Sequence, residues 1–176
     1  MTNEQIKIDK ENFEHYAEPL FEINKTATPV ERHQNRGQVY AALEKWSSAI
    51  DEYKKAVELA PDLSINYYNL GLAHVKLNLL SEAESYYKKA IELDSTCRQY
   101  HYNLGNLFMK THRLPEAIRA FEQAIKVYPN YDLAYCNLGA CYLYLGMYDE
   151  AKEATLKAIE LNPGNVNAQL NLAAHF

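Results

Sequence analysis

Five asparagines recur at one interval, Asn35, Asn69, Asn103, Asn137 and Asn171, each 34 residues beyond the last. A primary amide has N–H donors and an oxygen with two acceptor lone pairs. A row of amides can therefore hold the N–H and C=O groups of an extended peptide without reading its side chains. The same amides could equally hydrogen-bond within the fold, and spacing alone leaves both uses open. Tyr68, Leu72, Tyr102, Met109 and Tyr144 occur in the same stretches, and 15 of the 176 residues are tyrosine, the one compositional excess. Tyrosine joins apolar area to a hydroxyl, which suits it to contact surfaces. A groove bearing these residues would take a peptide with bulky apolar side chains, although Tyr67, Tyr87 and Tyr142 are expected in the core.

Other chemistry is sparse. Eighteen Lys and Arg stand against 23 Asp and Glu, a net charge of -5, which argues against nucleic acid and anionic membranes as partners. The charge is uneven: residues 98–131 hold five basic and two acidic side chains, and residues 132–165 hold the reverse. Arg98, Lys110 and Arg113 are thus candidates for docking an acidic partner. No phosphate-binding glycine loop, zinc-protease helix, nucleophile elbow or dinucleotide fingerprint occurs, so no catalytic residue and no cofactor is expected. Cys97, Cys136 and Cys141 match neither a disulfide framework nor a metal knuckle. His33 and His101, equivalent in the 34-residue register, are expected to pack between helices, and no metal site is expected.

The interval that relates the asparagines relates whole blocks. Residues 30–63, 64–97, 98–131 and 132–165 align without insertion, and 166–176 begin a fifth block. Asn-Leu-Gly appears at 69–71, 103–105 and 137–139, with Asn35-Arg36-Gly37 as a degenerate first copy. Ala49, Ala83, Ala117 and Ala151 follow, then Ala56, Ala90, Ala124 and Ala158, with Pro61, Ser95, Pro129 and Pro163 closing the blocks. Small, large and closing positions recurring in phase resemble the tetratricopeptide repeat, a helix-turn-helix unit that stacks into a right-handed superhelix. The resemblance covers 30–176 and implies an all-α solenoid of antiparallel helix pairs, with the first helix of each pair lining an inner groove. It also implies that the five asparagines form a ladder along that groove.

Periodicity supports the same elements independently. Ala83, Tyr86, Tyr87, Ala90, Ile91 and Leu93 have helical spacing after Ser81-Glu82-Ala83-Glu84, which has the form of a capping box. Thr28, with Pro29 and Glu31 behind it, has the form of another helix start, and Asp62, Thr96 and Asn130 are cap-like at later block boundaries. The spacing predicts first helices near 30–43, 64–77, 98–111 and 132–145, and second helices near 47–59, 81–93, 115–127 and 149–161. The glycines of Asn-Leu-Gly are expected to let the paired helices approach, because mid-helix glycine otherwise costs about 1 kcal/mol.

The resemblance implies a protein or an extended peptide as the partner, held without catalysis. Family members that bind the C-terminal tails of the heat-shock chaperones Hsp70 and Hsp90 use basic residues, but the matching positions here hold Tyr68, Leu133 and Asn137, so that tail is not the expected ligand. Two alternatives stand beside this reading: a targeting or substrate-presenting module of a larger enzyme, such as a transferase, continuing past Phe176, and a self-assembling scaffold whose C-terminal open end pairs as a homo-oligomer. Residues 1–29 are expected to cap the first unit or to occupy the groove. With no membrane span and no signal peptide discernible, the sequence points to a cytoplasmic protein.

Overall fold

The computed structural model describes residues 27–175, and among them there are nine α-helices and no strand. They are α1 (Pro29–Ala42), α2 (Trp46–Leu59), α3 (Ser64–Lys76), α4 (Leu80–Leu93), α5 (Arg98–Lys110), α6 (Leu114–Val127), α7 (Asp132–Tyr144), α8 (Tyr148–Leu161) and α9 (Val166–His175). The chain is thus an all-α fold of antiparallel helix pairs, a solenoid in class. No helix among the described residues is long and apolar enough to cross a membrane. The expected roles of residues 1–29 fall almost wholly outside the described residues.

The first helix starts as its sequence predicts. Thr28 Oγ1 accepts from Glu31 N, and the Glu31 carboxylate accepts from Thr28 N at 2.7 Å, a complete capping box, with Pro29 at the start of the helix. The later starts differ from expectation. Leu79 O accepts from Ala83 N, so α4 begins at Leu80 and Ser81 lies inside its first turn. Asp62, Thr96 and Asn130 do not cap either: the residues entering α3, α5 and α7 are Leu63, Cys97 and Tyr131, none with a side-chain cap bond. Thr96 instead donates from its hydroxyl and its backbone N–H to Asp94 Oδ1. Asn165 caps α9, its Oδ1 accepting from Ala168 N.

The turns inside the pairs share one geometry. Glu44, Asn78, His112 and Gly146, again 34 residues apart, all have positive φ between 58 and 73°. In each turn the following N–H reaches a carbonyl five residues back, as in Lys45 to Tyr40 and Arg113 to Phe108, while the left-handed residue bonds three residues back. These are Schellman motifs, which satisfy carbonyls that a helix end leaves open. In the third pair the Arg113 guanidinium lies 4.4 Å from the Phe108 ring centre, closing the turn with a cation–π contact.

Packing follows the small residues. Ala49, Ala83, Ala117, Ala151, Ala56, Ala90, Ala124 and Ala158 are fully buried. A Cβ on Gly105 would come within 2.6 Å of the Phe121 ring, and one on Gly139 within 2.5 Å of Thr155 Oγ1. Gly37 meets Tyr53 in the same manner. Helix approach therefore depends on the missing Cβ at these positions. The residues form two compact units that divide between Tyr86 and Tyr87. In the first, α2 packs on α1 and α3 around Ile50, Tyr53 and Leu70. In the second, α5 to α9 pack in succession, and α7 also touches α5 and α9.

Candidate functional site

In the N-terminal unit, α3 carries two buried asparagines with opposite fates. Asn66 is fully buried; its Nδ2 donates to Ala56 O at 3.1 Å and to Ala60 O at 3.4 Å, and its Oδ1 accepts from Gln34 Nε2 at 2.6 Å. It therefore ties α3 to the end of α2 and to α1. Asn69 is also buried, with 9% of its surface exposed, yet its amide makes no hydrogen bond among the described residues. It lines a pocket of about 320 Å³ together with Ala41, Ala42, Trp46, Tyr53, Leu72, Ala73 and Lys76. Asn35 is half-buried and likewise has no hydrogen-bond partner among the described residues, and Tyr68 is half-buried on α3.

In the C-terminal unit the equivalent amides are committed. Asn137 Nδ2 donates to Asn106 Oδ1 at 2.7 Å and to the Tyr102 hydroxyl at 3.2 Å, joining α7 to α5. Asn171 Nδ2 reaches Cys136 O at 3.5 Å, joining α9 to α7, and Asn103 Nδ2 turns back to Gln99 O of its own helix. Tyr102 packs at 5.8 Å from Phe121 and 5.1 Å from Tyr131, between ring centres. Met109 is half-buried, whereas Tyr144 is 76% exposed at the end of α7.

The basic candidates do not form one patch. Arg98 and Lys110 stand at opposite ends of α5, about 18 Å apart along its axis. The Arg98 guanidinium lies 4.0 Å from the Tyr128 ring centre and 5.3 Å from that of Tyr131. Arg113 donates from Nε to Glu116 at 3.0 Å, and Lys110 is exposed.

The ionisable groups have structural partners. Glu52 is buried on α2, and its carboxylate meets His33 Nδ1 of α1 at 2.8 Å and accepts from Lys55 Nζ at 2.7 Å. Burial pushes its pKa up, but the bonds from Lys55 and His33 outweigh that and hold it below the ordinary glutamate value. His101 contacts Ser95 O at 2.9 Å. Burial raises the thiol of Cys136, and that of Cys141 to about 11, so neither is a ready thiolate at neutral pH. Among the described residues no group of three or more His, Cys, Asp or Glu side chains could hold a metal ion.

The sequence gives no signal for Asn66, Gln34 or Asn106 as the partners that decide which amides are occupied. Positions equivalent to Asn66 hold Tyr100 and Ala134, so no recurrence marks it.

Comparison with known proteins fits this geometry. The tetratricopeptide repeat model matches residues 66–97, 99–131 and 133–165, and a second TPR repeat model matches 37–78. Among solved structures, that of MamA protein is 27% identical with a TM-score of 0.77, covering 84% of this chain and 80% of its own. A second MamA structure is 28% identical with a TM-score of 0.74, covering 83% and 86%. The structure of YrrB, described as a TPR protein with an unusual peptide-binding site, is 23% identical with a TM-score of 0.73, covering 96% and 92%, a likeness of fold. Among curated proteins none matches the chain.

Proposed function

The chain belongs to the tetratricopeptide repeat family, and on that premise we propose that this repeat scaffold holds an extended segment of a partner protein along its first helices. The observation that carries the reading is the amide of Asn69, buried beside an apolar pocket with no hydrogen-bond partner among the described residues, while the half-buried Asn35 one repeat earlier also lacks one among them. The amide atoms of Asn69 are not among the fully water-excluded polar atoms without a partner, so a peptide backbone, which both donates and accepts, would take the place of water there. In the C-terminal unit the amide nitrogens of Asn137 and Asn171 already serve the scaffold, leaving the oxygens to accept. YrrB, of the same fold, is described as having a peptide-binding site; the reading here rests on the amides of this chain.

The chemistry is of hydrogen bonds and apolar contact, so ionic partners are secondary. With Arg98 stacked on tyrosines and Arg113 paired with Glu116, Lys110 is left as the cation best placed to meet an acidic flank. Chaperone tails, which need a basic clamp, are outside this reading, and the compartment we assign is the cytoplasm. The test is to capture a partner on the immobilised chain, reduce it to its binding peptide, and measure affinity from low to high salt. A nearly flat response is expected, and a steep fall would contradict the reading by moving the contact to Lys110 and Arg113.

A second reading has its own observation. On α9, Val166 and Leu170 are each 61% exposed, and a groove of about 540 Å³ is lined by Leu156 and Ile159 of α8 and Leu172 of α9. Self-association through this face would cover both. Sedimentation over a hundredfold range of concentration should show an oligomer that Leu170→Glu weakens, and a monomer throughout would dismiss it.

A further inference from the structure

The pocket around Asn69 has a more specific chemistry than backbone binding requires. Its walls are apolar, formed by Leu72, Ala73 and the Trp46 ring, and the Asn69 amide borders it with no hydrogen-bond partner among the described residues, beside the ring of Tyr53 and its hydroxyl. At about 320 Å³ it sits at the small end of ligand pockets, suited to one side chain and too small for a cofactor. Lys76 stands at its edge with Nζ 5.7 Å from the Trp46 ring centre.

We propose that this pocket is a side-chain subsite for a polar-tipped aromatic residue, best met by tyrosine, on the bound segment. A purely aliphatic or phenyl side chain would fill the walls but leave the amide unpaired inside a drier pocket than before. A site built around a buried polar group discriminates against ligands that cannot bond to it. A phenol both donates and accepts, matching either atom of the amide, and its ring matches the apolar walls. The Lys76 ammonium at the edge favours a carboxylate beside the aromatic residue, so the preferred segment is tyrosine next to Asp or Glu. This inference deepens the peptide-binding reading and rests on it.

The chain has a single tryptophan, and it lies in this pocket, so its fluorescence reports occupancy directly. The experiment titrates the full chain with p-cresol and, separately, with toluene, exciting Trp46 beyond the absorption of the phenol. Both probes should bind weakly, with p-cresol about tenfold tighter, as one hydrogen bond to a buried amide implies. Asn69→Leu keeps the side-chain size and should bring the two probes to parity or favour toluene, and its melting curve verifies the fold. A second readout on the unaltered chain is the Asn69 side-chain N–H₂ resonance, which should shift with p-cresol and not with toluene. Equal affinities in the unaltered chain, a preference that survives in folded Asn69→Leu, or a Trp46 signal blind to p-cresol would each overturn the proposal. Those results would leave the backbone reading standing if Asn69→Ala still weakened a captured peptide. If peptide binding ignored Asn69→Ala while p-cresol kept its preference, the backbone reading would fail alone.

Discussion

Asn69 and Asn137 occupy the same position of successive alternate repeats, yet among the described residues one amide has no partner and the other joins two helices. The difference arises one turn away. Asn137 faces Tyr102 and Asn106 of the preceding pair, both of which accept from its Nδ2. The residue equivalent to Tyr102 beside Asn69 is Gln34, and Gln34 is already bonded to Asn66 at 2.6 Å. Where Asn66 stands in the second repeat, the fourth has Ala134, which leaves the Tyr102 hydroxyl available. A recurring residue thus takes its role from a neighbour that does not recur.

The largest effect should come from the residue that sets this contrast. Asn66→Ala removes three hydrogen bonds in a fully buried setting and should cost about 2–3 kcal/mol in urea denaturation. It also releases Gln34, so Asn69 would gain a scaffold partner and any captured peptide should bind more weakly. Next in size, Asn137→Ala should lower stability by about 1–2 kcal/mol, while Asn69→Ala stays within about 0.5 kcal/mol of the unaltered chain. Equal losses at the two positions would erase the distinction.

The N-terminal unit also holds the one buried carboxylate among the described residues with a lowered pKa. Because Glu52 sits below the ordinary value of 4.5 when folded, its contribution is complete above that value and is lost as pH falls through the folded pKa. Thermal midpoints measured from pH 6 downward should therefore drop, and Glu52→Gln should flatten part of that drop at the cost of stability near neutrality. The smallest effect is at the turns. His112 holds a φ of 58° that Gly146 adopts without a Cβ. Replacing this exposed histidine by glycine, His112→Gly, should gain about 0.5 kcal/mol, and a loss in urea denaturation would contradict the turn geometry.

Much of this architecture is legible in the chain because the repeat states it four times. Ala117 and Gly105 reveal the seams since close approach admits few residue types, and the helix bounds lie within a residue or two of the periodicity. The caps are less legible: Thr96 looks like a helix start but bonds Asp94, and Leu79, an apolar residue, opens α4 through its backbone alone. The positive-φ positions recur at 34 residues, yet Glu44, Asn78, His112 and Gly146 share a conformation without sharing a residue type. The amides are half legible. Their row is visible in the sequence, whereas their occupancy depends on single residues such as Asn66 and Asn106 that no period announces.

On the proposed function, Asn35 and Asn69 serve a ligand while Asn137 and Asn171 serve the scaffold. The direct measurement is calorimetry of a captured peptide against Asn35→Ala/Asn69→Ala and Asn137→Ala/Asn171→Ala, with thermal melting of the same preparations. The first pair should lose binding at an unchanged melting midpoint, while the second melts earlier and, once folded, retains most of its affinity. Full-strength binding by a folded Asn35→Ala/Asn69→Ala chain would contradict it.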